Sequence, residues 1–343
     1  MTEEEIIEKE EYAKAKADAM FVVWQQRHAA TIQRDYEVVS VEELFTFPLT
    51  NPDTGSNSKT FVEAGKMDVV LRRRRDKALV LMEHKTAADR VGPASSYWDR
   101  LRLDTQISKY QLALLHKYPG ENVAGAIYDV ASKPAMRPSK VPELDETGCK
   151  IVLDQDGNRV RTKDGKKWRE SADAANGYEL KGRMETPAEY GARILAKLQD
   201  ENTEYFAWRE VTRLDTDLVA YMKDAWLQAK MIMHMRNNAL WPRNPSACTA
   251  YGNCEFLDLC CGRRGIDGIN YAPAPAHIEL GDQDTGGLSR LTNSSLTALR
   301  KCPKFYELRY ETPTQKVGVT FEALRFGTYW HGLLENFFNS LKA

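Results

Sequence analysis

The sequence predicts an α/β fold: a mixed central sheet flanked by helices, with a cysteine-bound cap. Three observations carry this. Two β-rich runs, 61–72 and 78–85, are joined by a short charged link, RRRDK, and read as a hairpin. Helical stretches precede and follow them at 3–34 and 97–117. Cys248, Cys254 and Cys260 crowd a single later stretch.

Taken in order, residues 3–34 read as a helix, with Thr2 and Glu5 forming a capping box at its start. YEVVSVEELFTF, from Tyr36, reads as a strand, and NPDTGSNSK (51–59) as a turn cluster. In 97–117, Leu101, Ile107, Leu112 and Leu115 recur among polar residues and predict one helix. GAIYDVA (125–131) predicts a buried strand. Residues 132–185 are rich in proline, glycine and charge, and DQDGNR and KDGKKW read as turns of an appended hairpin. Thr186, Pro187 and Glu189 combine an N-cap, a proline at the first helical position and a capping-box acid, so a helix should run to residue 200. A strand (EYFAWREV) and a long helix from Asp215 follow, the helix stopping before Trp241-Pro242. By composition 262–287 is a linker. The last elements expected are a helix at 292–301, a strand at 305–310 and a helix at 321–341.

At 343 residues and 42% hydrophobic, the chain can bury a sizeable core as one large domain or two smaller ones. No apolar run approaches membrane-span length, and the start lacks the basic and apolar regions of a signal peptide. The expectation is a cytoplasmic protein with no membrane partner. Thiols stay reduced in that compartment, so the six cysteines read as ligands or core residues and not as disulfides. A net charge of −1 neither requires nor excludes nucleic acid; a DNA binder of this balance needs local basic patches. Arg72 to Arg75 is one candidate, and 159–169, with six basic residues against Asp164, is another. Either is equally readable as a solvated turn.

The hairpin places Asp68 late in one strand and Glu83, His84 and Lys85 at the end of the next. Side chains alternate along a strand, so Glu83 and Lys85 share a face, and Asp68 can lie beside them. Two carboxylates there make a hard oxygen site suited to Mg²⁺ or Mn²⁺. A lysine beside such an ion can orient water or stabilise charge on a phosphoryl group. The competing reading is an exposed ion pair, common in a chain that is 28% charged. On the following helix Gln106 and Tyr110, at i and i+4, share a face.

GKMD (65–68), EHK (83–85) and QISKY (106–110) resemble, in order and spacing, the G-x-x-D, E-x-K and Q-x-x-x-Y motifs of RecB-family nucleases in the PD-(D/E)XK superfamily. The resemblance implies a restriction-endonuclease-like core in which Asp68 and Glu83 bind the metal with the main-chain carbonyl of His84. It implies Lys85 as the catalytic lysine, with Gln106 and Tyr110 facing the site and the DNA strand. Cys248, Cys254 and Cys260 resemble the late cysteines of the AddB-like branch, which holds a 4Fe-4S cluster, although the first gap here is longer than that branch's C-x-x-C. LTNSSLTALRKCPKFYELRY (291–310) and FGTYWHGLLE (326–335) resemble the opening of RecB-like nuclease domains. They imply Cys302 as the fourth cluster ligand and His331 as a metal ligand. Cys149 and Cys261 have no assigned role, though Cys261 adjoins Cys260 and is an alternative to it.

In the family these last two segments precede G-x-x-D; here they follow everything else. Each motif occurs once, which speaks against a tandem pair; a circularly permuted order is the expectation, with 1–261 as nuclease core, 262–287 as linker and 288–343 packing into the same domain, and two joined partial genes are the open alternative. The function implied is a DNA exonuclease acting on single-stranded ends in recombination or repair, with a helicase or recombination partner. Two rivals stay open: a non-catalytic iron–sulfur DNA-binding module, and a zinc-stabilised structural protein.

Overall fold

The computed structural model of the chain describes residues 3–200, 205–250, 252–281, 284–318 and 322–342. Thr2, and with it the expected first capping box, lies outside these. The chain divides into two compact units: 1–26, 134–202 and 322–330 in one, and 27–133, 203–321 and 331–343 in the other. This division does not follow the boundaries at 261 and 287 that composition suggests.

The larger unit holds a mixed sheet of β1 (Tyr36–Thr50), β2 (Asn57–Arg73), β3 (Leu79–Ala87), β4 (Val123–Ser132), β5 (Phe206–Val211) and β6 (Ser289–Leu291). The strands lie in the order β1-β2-β3-β4-β5, and β6 pairs with β2. Pairing is antiparallel for β1–β2, β2–β3 and β4–β5, and parallel for β3–β4 and β6–β2. The helices are α1 (Glu3–Asp35), α2 (Thr105–Lys117), α3 (Pro187–Asp200), α4 (Asp215–Asn237), α5 (Asn293–Lys301) and α6 (Glu322–Leu341). The fold is therefore α/β, with a mixed central sheet flanked by helices. No described helix is long and apolar enough to cross a membrane.

Every residue of β3 from Leu79 to His84 is buried, which is why this strand reads as a nearly unbroken apolar run. One core joins Phe45, Met67, Leu81 and Tyr128 of the sheet to Ile107, Tyr110 and Leu114 of α2. A second joins Leu49, Phe61 and Leu291 to Tyr221 and Ile232 of α4 and Leu296 of α5. Inside this packing Lys109, with no exposed surface, pairs with Glu63 at 2.6 Å and donates to the Leu291 carbonyl at 2.6 Å. Tyr221 donates to the same Glu63 at 2.9 Å. One buried charge pair thus ties α2, β2, α4 and β6 together, joining the late residue 291 to the hairpin strand.

Four sequence expectations need correction. The stretch 97–117 is not one helix: a 3₁₀ segment (Ser96–Leu103) stops at Asp104, whose extended backbone lets its carboxylate cap α2 by accepting from the Gln106 amide at 2.8 Å. The stretch 305–310 is not a strand. Pro303 at the first helical position starts a short helix (Pro303–Tyr306) that continues into a π turn (Glu307–Glu311). Its aromatics work at helical spacing: Phe305 and Leu308 pack on Phe256, while Tyr306 and Tyr310 face the second core. The linker is anchored as well. Tyr271–Pro273 pairs with Thr314–Lys316, and Tyr271 and Leu280 are buried. Finally, the appended hairpin is a set of short pairings, Lys140–Pro142 with Gly182–Met184 and Val152–Leu153 with Glu179–Leu180.

In the smaller unit, α3 starts as its capping box requires: the Thr186 amide donates to Glu189 and the Glu189 amide to Thr186 Oγ1. Glu185 is buried and accepts from Arg193, Ser139 and its neighbours. Much of the basic 159–169 stretch is locally engaged, with Arg159 pairing Asp145, Arg169 pairing Asp173, and Arg159 and Arg161 stacking on Trp168. Lys163, Lys166 and Lys167 are exposed. In the larger unit Arg72 pairs with Glu121, and Arg73 and Arg75 both pair with Asp76, so three of the four arginines serve local structure.

Candidate metal centre

The hairpin brings Asp68 of β2 to the end of β3, where Asp68 Oδ2 accepts from the His84 amide at 2.8 Å. Alternation on β3 then sends Glu83 and Lys85 to one face and His84 to the other. On the first face Lys85 Nζ donates to Glu83 Oε1 at 2.6 Å and to Gln106 Oε1 at 2.9 Å. Gln106 Nε2 lies 2.7 Å from Glu83 Oε1 and 2.9 Å from the Tyr110 hydroxyl. The E-x-K pair and the Q-x-x-x-Y face therefore form one hydrogen-bonded group, fixed by the Asp104 cap that starts α2 beside it. Lys85 keeps 30% of its side chain exposed while Glu83 keeps 3%, so the lysine is the member that reaches outward.

On the opposite face His84 is buried, its Nδ1 2.7 Å from Asp129 Oδ2, and Trp208 Nε1 donates to the other Asp129 oxygen at 2.9 Å. Burial disfavours the imidazolium, but Asp129 outweighs it and raises the His84 pKa. His331 of α6 stands edge-on to His84, with its Nδ1 3.9 Å from Asp68 Oδ2. The late histidine and the early aspartate thus meet. Among the described residues, Glu42, Asp68 and His331 form a group whose ligand atoms all lie within 4.8 Å of one another. Glu83 is not in that group: its Oε1 is taken by Lys85 and Gln106, and its Oε2 makes no hydrogen bond among the described residues.

The electrostatics suit a cation. Burial, then the neighbouring Asp68, pushes the Glu83 carboxyl up to about 7, and burial also raises Asp68. Burial and the adjacent His84 lower His331 to about 4, leaving its ring neutral and able to ligate near pH 7. Glu83 Oε2 is buried with no hydrogen-bond partner among the described residues. An orphaned carboxylate oxygen beside a second acid and a neutral imidazole is a donor set that fits a divalent ion.

A stability consequence follows for metal-free protein. A carboxyl whose folded pKa is raised above its unfolded value stabilises the fold below about pH 4.5 and loses that contribution as pH rises through about 7. Glu83→Gln removes this loss. In EDTA the variant should be more stable than wild type at pH 8, by roughly 3 kcal/mol, and come close to it near pH 5. Parallel melting profiles across that range would show that Glu83 is not held under this repulsion.

All six cysteines are free, and none stands with its neighbours as a ready-made ligand cluster. Three nevertheless meet one short segment: Arg243 Nε donates to Cys260 Sγ at 3.2 Å, the Asn244 amide to Cys302 Sγ at 3.4 Å, and Cys248 Sγ to the Asn244 carbonyl at 3.8 Å. The Cys254 amide donates to the Cys248 carbonyl at 2.8 Å. Cys149 lies in the other unit.

Sequence reasoning missed Glu42, Asp104 and Asp129. For Asp129 a signal existed, a lone acid inside an otherwise apolar buried strand. Asp104 sat inside what looked like a continuous helix. Glu42 lay unremarked inside the predicted strand from Tyr36. No protein-family model matches the chain, and no curated protein matches it in sequence.

Proposed function

We propose that the chain is a metal-dependent DNA nuclease of the PD-(D/E)XK type, built on a restriction-endonuclease-like core. The observation that supports it most is the meeting of Asp68, Glu83-Lys85, Gln106-Tyr110 and His331, drawn from three separate stretches of sequence, at the antiparallel β2–β3 hairpin. A structural ion pair would need none of the surrounding acids, and a DNA-binding module would have no use for a buried, orphaned carboxylate.

Asp68, Glu83 and His331, with the His84 carbonyl, would hold Mg²⁺ or Mn²⁺. When bound, that ion supplies an acidified water and neutralises charge on a phosphoryl group. Lys85, partly exposed and oriented by Gln106, would steady the charge that develops on the scissile phosphate. Gln106 and Tyr110 fix the Lys85–Glu83 pair and face the strand. Exonuclease action on single-stranded ends, in recombination or repair beside a helicase, follows from the family resemblance alone. The test is incubation with end-labelled single- and double-stranded DNA. Cleavage should require Mg²⁺ or Mn²⁺ and stop in EDTA; DNA binding without cleavage under any metal would favour the binding module.

Cys248, Cys254, Cys260 and Cys302 would hold a 4Fe-4S cluster, which supplies a soft-ligand crosslink between the 248–260 loop and the start of the short helix at Pro303. The gathering of three thiols around residues 243–244 supports this. Protein purified without oxygen should carry about four irons and four sulfides, as that cluster type requires, and Cys254→Ser should lose them and melt lower. Stoichiometric zinc with no iron would favour the structural rival.

A further inference from the structure

We propose that Glu42 is a fourth side-chain ligand of this ion, and that Lys66 is the counter-charge it holds until the ion arrives. The proposal rests on the metal-site reading above and adds to it a residue outside the recognised motifs.

Glu42 lies in β1. The pairs Val41↔Val69 and Glu43↔Met67 bracket it, so it stands across from Asp68. Its backbone is in the left-handed region, at φ 50°, which a side-chain-bearing residue adopts at a cost and which recurs where a side chain must be aimed at a site. Just before it the β1–β2 register slips between Val38 and Ser40. The chain therefore bends at the point where a second strand's acid can reach the Asp68 carboxylate. There Glu42, Asp68 and His331 offer three ligand atoms within 4.8 Å of one another.

A cluster of like charges needs a reason to exist, and two independent facts point to a cation. Glu83 Oε2, beside Asp68, is buried and unpartnered. Glu42 keeps only 18% of its side chain exposed, and the charge that balances it is Lys66, the second residue of GKMD, an ion pair made by a lysine still 36% exposed. The carboxylates Glu42, Asp68 and Glu83 face the lysines Lys66 and Lys85 and a neutral His331. With Glu335 also acting on Lys66, the acids here outnumber the lysines, and a divalent ion would offset that excess. Binding the ion through Glu42 frees Lys66, whose ammonium then stands at the mouth of the site, available to a phosphate.

The test measures Mn²⁺ binding to the full chain by calorimetry and by the electron paramagnetic resonance of free Mn²⁺, with folding checked by circular dichroism. Glu42→Gln should weaken Mn²⁺ at least about 10-fold. Glu42→Asp keeps the charge and the pairing with Lys66 but shortens the reach, and it should also weaken binding. Lys66→Met should tighten it, because the internal competitor is gone. Wild-type affinity in both Glu42 variants, with Asp68→Asn still weakened, overturns the Glu42 assignment and leaves the metal-site reading intact. Wild-type affinity in Asp68→Asn overturns both.

Discussion

Asp68→Asn, Glu83→Gln and Lys85→Ala should each lower the proposed metal-dependent DNA cleavage at least about 10²-fold while leaving DNA affinity nearly unchanged. The reason is geometric. Asp68 and Glu83 offer the carboxylates, and Lys85 is the outward member of the pair, held by Glu83 at 2.6 Å and Gln106 at 2.9 Å. None of the three is needed to hold a strand of nucleic acid against the surface. Single-turnover rates on end-labelled DNA, alongside a binding titration in Ca²⁺, separate the two effects. A Glu83→Gln protein that cleaves at wild-type rate with Mg²⁺ removes this residue from the chemistry.

The largest stability effect is expected away from the site. Lys109 has no exposed surface, and among the described residues its charge is met by Glu63 and the Leu291 carbonyl. Burial, with a smaller push from Arg300, outweighs the pull of Glu63 and lowers its pKa. Removing one partner leaves an uncompensated buried charge, which typically costs about 3–5 kcal/mol. Glu63→Leu should therefore destabilise the fold by that order in a urea titration. The double variant Lys109→Met/Glu63→Leu should recover much of the loss, since replacing a whole buried pair by apolar groups is often nearly neutral. Equal destabilisation in single and double variants would mean that packing volume matters there and the charge pair does not.

This pair also shows what the sequence could and could not convey. The α/β fold class, the hairpin and the capping of α3 were all legible, because each depends on local periodicity, turn chemistry or caps. Asp68, Glu83, Lys85, Gln106 and Tyr110 were legible as a set because they sit on one hairpin and one helix face. The register of 289–291 against β2 was not, since a three-residue parallel pairing is set by long-range contacts such as Lys109 to Leu291. The helix from Pro303 was misread because Phe305, Tyr306, Leu308 and Tyr310 satisfy either period, and only their two packing partners decide. Glu42 was hidden for a related reason. Strand alternation gives its face but not the left-handed backbone that redirects it.

The central claim is that residues far apart in sequence, Asp68, Glu83 and His331, share one ion. Anomalous diffraction from crystals soaked in Mn²⁺ measures this directly. The expected result is a single strong peak bonded to Asp68 and His331, at about 2.0–2.6 Å from the Asp68 oxygen, with Glu83 turned toward it. A peak elsewhere on the molecule, or none at saturating Mn²⁺, would contradict it.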